Sequence, residues 1–235
     1  MPSVRIWTPE SDYDRDAVVC IAEKIVGYNE LDLAIQSASK QGFNDVASKP
    51  NGLQKAVNTY LKRNDLVIFL IDADGNQALD KRKREKNSLV NRIEAVVKAS
   101  EGKAKLILML QELEAWLLVD CLGICCYFTG NSQDRNQKKW EQFAKKKQKG
   151  KTNLIEEANV GGKGAKEYLV ELSKEILIEK NPKLKNKPKN LKQSQYSEDK
   201  SPKVAECLEI NSQTIKRNDS LEEFAKCLNE TTGVN

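Results

Sequence analysis

The chain contains no histidine. Ser-His-Asp triads, Cys-His nucleophiles, His-ligated zinc and imidazole acid/base chemistry are therefore closed to it, and any reaction must run on carboxylates, lysines, thiols or a bound metal. Aromatic residues are scarce, at 6%, so the core must come mainly from Leu, Ile, Val and Ala. Long apolar runs are missing too: the longest, at 66–71, 106–110 and 115–119, fall far short of the roughly 20 residues that cross a bilayer. The opening MPSVRIWTPESD turns acidic where a signal peptide needs its apolar centre. A cytoplasmic chain with no membrane partner is expected. The six cysteines are scattered. Cys121, Cys125 and Cys126 come nearest to a ligand cluster, but nothing completes a four-ligand site, and free thiols are expected.

What remains is enough for a sizeable single core, with 235 residues of which 39% are apolar. SVRIW at 3–7 alternates as a short strand, and 14–26 carries a helical apolar stripe opened by acidic residues. A weaker strand follows at 33–37, then after Gly42 a loop, and then a helix over about 52–62. Residues 65–71, DLVIFLI, are a continuous β-branched run that reads as a fully buried parallel strand ending at Asp72. A charged helix is expected from about 78 to 100, the strand KLILML at 105–110, and one apolar helix from 111 to 128. Strand and helix alternating four times argue an α/β class fold, an open and mostly parallel sheet covered on both faces. The third and fourth strands are expected at its centre. Residues 1–128 form this α/β domain and 129–235 a lysine-rich helical extension packed on it. In the extension, helices are expected over about 166–178, 203–208 and 221–228, with 180–200 its loosest part. Gly161–Gly164 lacks P-loop spacing and reads as a loop.

The net charge of +5 hides a segregation. Residues 138–151 carry seven lysines and one glutamate, 180–192 carry six lysines and no acid, and the rest of the chain is left at −7. An acidic body with two basic segments fits a polyanion binder, DNA or RNA, contacted by Lys138, Lys139, Lys145, Lys146, Lys147, Lys149 and Lys151 in the first segment and Lys185, Lys187 and Lys189 in the second. The alternative is that such runs are solvated surface. Trp140 and Phe143 can stack on bases or anchor their helix to the core.

Ligands of open α/β sheets bind outside the carboxyl ends of the strands. Glu10 follows the first strand there, Asp72 and Asp74 the third, Glu112 and Glu114 the fourth. Two carboxylates about 4 Å apart repel by roughly 4 kcal/mol at an effective dielectric near 20, so a proton, a lysine or a cation must neutralise them. All-oxygen ligation favours Mg²⁺ or Mn²⁺, ions that commonly work on phosphates. Each acid also has a plainer role open to it: Asp72 as a cap, Asp74-Gly75 as a turn, Glu112 and Glu114 at a helix N-terminus.

Glu10 with Asp14 four positions on, the buried strand ending in Asp72-x-Asp74, and the E-x-E-A-W-L-L-x-D segment from Glu112 to Asp120 together resemble the Toprim fold. More narrowly they resemble a Toprim-like family encoded beside ABC/SMC-type ATPases in bacterial phage-defence loci, relatives of the overcoming-lysogenization-defect (OLD-type) nucleases. The segment from YSEDKSPKVAECLEI to SLEEFAKCL is similar to that family's C-terminal pattern. The resemblance implies a Toprim/Rossmann-like sheet and a metal-dependent nuclease. Its catalytic residues would be Glu10, Asp72, Asp74 and Glu112, its Mg²⁺ or Mn²⁺ ligands Glu10, Asp72, Asp74 and Glu114, with Asp14 behind them. It also implies an ABC/SMC-type ATPase subunit as partner. Glu10-Ser11 departs from the family's Glu-Gly, which restricts approach of a phosphate to the backbone. Two other readings stay open: a non-catalytic subunit that binds the ATPase, and a nucleotide-sugar transferase using the DxD pair.

Overall fold

The computed structural model describes residues 1–8, 11–49, 51–73, 76–155 and 163–233. Its first half runs β1 (Ser3–Trp7), α1 (Asp12–Tyr28), β2 (Ala34–Ser37), α2 (Lys40–Ala47), α3 (Gly52–Tyr60), β3 (Leu66–Asp72), α4 (Asn76–Arg84), α5 (Leu89–Lys98) and β4 (Ala104–Met109). The four strands form one parallel sheet in the order β2-β1-β3-β4. The α/β class and the parallel sheet are as the sequence implies. The centre is not: β1 and β3 are the inner strands and β4 is an edge, where Lys105, Leu106 and Leu108 stay partly exposed. An apolar run alone does not tell an inner strand from an edge strand.

The order has a direct consequence for the helices. The chain steps one way from β1 to β2 and the other way from β2 through β3 to β4, so right-handed crossovers put α1 on one face and α2 to α5 on the other. Strand alternation follows suit. Val4, Ile6, Leu66, Ile68, Leu70, Ile107 and Met109 join the α1 core. Trp7, Val67, Phe69 and Ile71 join the opposite one, with Phe43, Leu53, Val57 and Ile93.

The second half completes the α1 face. It comprises α6 (Glu112–Leu117), α7 (Cys121–Thr129), a 3-10 turn (Ser132–Asn136), α8 (Lys138–Lys147), α9 (Ala165–Lys180), a 3-10 turn (Pro182–Asn186), α10 (Pro188–Ser194), a 3-10 turn (Glu198–Lys200), α11 (Ser201–Cys207), α12 (Ser212–Ile215) and α13 (Asp219–Thr231). Helix α13 packs on β4 and β1, and α11 on α1. Trp116 of α6 stacks on Phe224 of α13 at 5.2 Å and its indole N–H donates to Ser220 Oγ at 2.9 Å. Gly123 is required where the chain crosses α7: a Cβ there would lie 2.6 Å from the Cys207 carbonyl oxygen.

Four expectations are corrected. Where a loop was foreseen after Gly42 the chain is helical, as α2 (Lys40–Ala47). The helix foreseen over 78–100 is broken between α4 and α5, because Ser88 Oγ caps α5 through the Asn91 N–H and Asn91 Nδ2 donates to the carbonyls of Lys83 and Glu85. The helix foreseen over 111–128 is broken at Asp120, which caps α7 through the Leu122 N–H, accepts from the Glu209 N–H at 2.8 Å and pairs with Arg135. Residues 180–200, foreseen as the loosest part, are folded. Prolines 182 and 188 occupy first-turn positions, where a missing N–H costs nothing, and Leu184 and Leu191 pack on the α1-side core. The second half's Gly161 and Gly162 lie outside the described residues, and Gly164 caps α9. All six cysteines are free thiols.

Candidate functional site at the carboxyl edge of the sheet

Neighbouring strands β1 and β3 leave the sheet toward helices on opposite faces, so the crevice beyond their carboxyl ends is the topological switch point of this sheet. Asp72 is the last residue of β3, half-buried, after six buried residues. Alternation with Leu66, Ile68 and Leu70 assigns it to the α1 face. Its backbone carbonyl accepts from Arg82 Nη1 at 2.6 Å, which ties α4 back to the strand end. Glu10 and Asp74 lie outside the described residues.

On the same face, α1 starts with Ser11 Oγ accepting from the Asp14 N–H at 3.0 Å, so Asp14 sits in the first turn of the helix that follows β1. At the end of β4, Gln111 and Glu112 both take left-handed backbone angles, φ 66° and 69°. For two successive side-chain-bearing residues this costs of order 1–3 kcal/mol each, and strain of that kind gathers at functional sites. The kink turns the chain sharply from β4 into α6 and leaves Glu112 partly exposed beside the edge while Glu114 is carried inward.

Glu114 is only 5% exposed. Its Oε1 accepts from the Tyr196 hydroxyl at 3.0 Å, and that hydroxyl also meets Ser201 Oγ at 2.7 Å. Burial raises the Glu114 pKa and the charge of Asp14 raises it further, against its own backbone N–H, Tyr196 and Lys166, which lower it. Burial also pushes the Tyr196 hydroxyl up, reinforced by the Glu114 charge. Lys166, at the start of α9, is ion-paired with Glu198; burial disfavours its charge, yet Glu198, Glu114 and Glu112 outweigh it and its pKa is raised. Glu114 thus lies with Asp14, Lys166, Tyr196 and Ser201, with Glu112 near Lys166, while Asp72 ends the neighbouring strand at the same carboxyl edge. Lys166, Tyr196 and Ser201 were not foreseen. Tyr196 lies 82 residues from Glu114, and no local pattern links them.

The donors expected for a metal are all oxygens, which suits Mg²⁺ or Mn²⁺. Among the described residues no three acidic or sulfur side chains lie close enough to hold one ion; two of the expected ligands, Glu10 and Asp74, lie outside them. Thr8 Oγ1, buried at the carboxyl end of β1 on the face of Val4 and Ile6, has no hydrogen-bond partner among the described residues. An orphaned buried hydroxyl costs about 1–3 kcal/mol, and water or an ion commonly satisfies such a group.

The two lysine segments differ. On α8, Lys139 pairs with Glu179 at 2.8 Å and Lys147 with Glu175 at 2.5 Å, both on α9, and Lys151 pairs with Asp219 at 2.6 Å. Lys149 lies over the Tyr168 ring at 5.0 Å. Lys138, Lys145 and Lys146 are exposed. Trp140 is buried and meets Phe143 edge-on at 5.7 Å, so the aromatics anchor α8 rather than offer a stacking surface. In the other segment Lys185, Lys187 and Lys189, with Lys183 and Lys192, are exposed, and none enters an ion pair among the described residues.

Among the described residues no helix is long and apolar enough to cross a membrane. No family model matches the chain, and neither does any curated protein or solved structure.

Proposed function

We propose that this chain is a metal-dependent phosphodiester hydrolase, a Toprim-like nuclease. What supports the reading is topology: Asp72 ends β3, Asp14 opens the helix after β1 and the Glu112–Glu114 segment follows β4, all on the carboxyl side of a parallel sheet. Glu10, Asp72 and Asp74 would hold Mg²⁺ or Mn²⁺. Of the two glutamates after β4, Glu112 is the better further ligand, since Glu114 already accepts from Tyr196 inside the protein. A bound divalent ion would polarise a phosphate and acidify a water. Glu10 would take the proton from the attacking water. Lys166, held charged by its acidic neighbours, would balance negative charge gathering at the edge. An ABC/SMC-type ATPase partner belongs to the same reading and rests on the resemblance of the Glu112–Asp120 segment.

The test is calorimetric titration of Mg²⁺ and Mn²⁺ into the wild type and into Asp72→Ala/Asp74→Ala, followed by cleavage assays on plasmid, linear DNA and tRNA. Binding that disappears in the double variant, with cleavage that disappears in Asp72→Ala, is the expected result. A wild type that binds neither ion, with or without nucleic acid, would sink the proposal. Binding without cleavage would favour a non-catalytic subunit.

A further inference from the structure

Lysine runs of equal sequence charge are not equal in the fold. The helix of the first segment is tied by ion pairs to α9, whose Glu167, Glu171, Glu175 and Glu179 recur every fourth residue, a spacing that lines them along one helix stripe. Lys139 and Lys147 are drawn onto the last two of these acids. Of the outward lysines, Lys145 and Lys149 border a groove of about 440 Å³ that also contains Asp120, Glu141 and Arg217, a surface of both signs. The arm made by the 3-10 turn at Pro182–Asn186 and by α10 is of one sign. Its acids number none, its lysines are exposed, and Leu184 and Leu191 pack it against the core.

We infer that this arm, through Lys183, Lys185, Lys187, Lys189 and Lys192, is the nucleic-acid contact of the protein, that it grips the phosphates of a duplex in preference to a single strand, and that α8 is mainly scaffold. The inference deepens the nuclease reading and rests on it for the kind of ligand.

Two physical arguments select the duplex. Single strands are held by bases stacked on exposed rings, worth about 1–3 kcal/mol per base. The chain has no aromatic residue between Tyr168 and Tyr196. Tyr196 is buried, as is Trp140 of α8. The second argument is charge density. Each leg of the arm is about 10 Å long at the rises of 3-10 and α-helix. A duplex presents one charge per roughly 1.7 Å of axis, so about six phosphates lie along such a leg, against about three on one strand. A fixed array of lysines without rings gains from charge alone, and the duplex offers about twice as much. Nothing in the arm distinguishes a DNA from an RNA duplex.

The experiment is fluorescence anisotropy in EDTA, so that the carboxylate edge plays no part, with labelled DNA duplex, RNA duplex and the corresponding single strand over a salt series. Wild type should bind at least one duplex more tightly than the single strand, with a log-log salt slope of about −4 to −5 for five lysine contacts. Which duplex binds more tightly identifies the source. Replacing the five arm lysines by Gln should lower affinity about a hundredfold or more at low salt and remove most of the slope. Lys138→Gln/Lys145→Gln/Lys146→Gln should change the slope by less than about one. Because all these positions are exposed, unchanged melting and circular dichroism will show that both variants are folded. The inference is overturned if the arm variant binds like wild type, if the α8 variant loses as much, if the single strand binds as well as the duplexes, or if wild type binds no nucleic acid. The metal titration is independent of these outcomes, so loss of this inference and loss of the nuclease reading can be told apart.

Discussion

The two faces of the sheet are covered in different ways. The face with Trp7, Phe43 and Phe69 is closed by α2 to α5, helices that are themselves crossovers between strands. Its aromatic cluster, with Trp7 to Phe43 at 5.2 Å and Trp7 to Phe69 at 5.4 Å, comes from residues close in sequence to the strands they cover. The α1 face is closed by chain that arrives late, α6 to α13, and its key contacts span Trp116 to Phe224 and Glu114 to Tyr196. The candidate acids lie at the rim of this second face. The first face supports the sheet and, through Arg82, the end of β3, whereas the other also carries Glu112 and Glu114 at the carboxyl edge.

The sharpest way to break this comparison is to open each face in turn. Phe43→Ala and Trp116→Ala should each cost about 3–5 kcal/mol, as removal of a large buried ring does. Denaturant melts would measure both. Only Trp116→Ala, which loosens α6 beneath Glu112, should also weaken Mn²⁺ binding when each variant is titrated well below its melting transition. Equal loss of Mn²⁺ affinity in Phe43→Ala would mean that the two faces do not differ in this way.

A smaller effect is expected from Tyr196→Phe. The ring stays, but Glu114 Oε1 and Ser201 Oγ lose their shared partner, and leaving a buried acceptor unpaired costs about 1–3 kcal/mol. Ser201→Ala leaves the Tyr196–Glu114 bond in place and should cost less. A Ser201→Ala variant as unstable as Tyr196→Phe would place the weight of the cluster on Ser201 instead.

How far the sequence carries this picture depends on whether the information is local. The buried strand ending at Asp72 is legible because a six-residue apolar run followed by an acid and a turn has few other meanings. The edge position of β4 is not, since KLILML is as apolar as β3 and only the order of crossovers ranks them. The Glu112 kink leaves no trace, as neither Gln nor Glu announces a left-handed backbone. The E-A-W-L-L-x-D segment was legible as a pattern, but its contents are structural: Trp116 seats α13, and Asp120 joins α7 to Arg135 and the Glu209 backbone. For the lysines the sequence does carry a signal. The four glutamates of α9 at intervals of four already name the partners of Lys139 and Lys147.

Glu114 gives a test read through pH. Its pKa is raised in the folded state, chiefly by burial, so the folded protein holds that proton more tightly than the unfolded chain does. The stability it contributes is full below the ordinary glutamate value and is lost as pH rises through the raised value. Glu114→Gln cannot ionise and escapes that loss. The difference in melting temperature, variant minus wild type, should therefore be more positive near about pH 7 than near about pH 4. A difference that is flat across that range, or that runs the other way, would mean the folded protein does not favour the protonated form.

The smallest effect separates the two lysine segments on stability alone. Lys139 and Lys147 reach across from α8 to Glu179 and Glu175, with three of the four side chains about half exposed to solvent and Lys147 less so. Exposed pairs of this kind are worth less than about 1 kcal/mol each, and salt weakens them further. Lys139→Gln/Lys147→Gln should therefore lower stability slightly in dilute buffer and not at all in high salt. The same change in the arm, where lysines repel one another and pair with no acid among the described residues, should leave stability unchanged or raise it, again only in dilute buffer. Opposite signs in low salt that converge in high salt would show that one segment uses its charge to hold the fold together while the other holds it in reserve for a partner. Two variants of the same sign would erase that distinction.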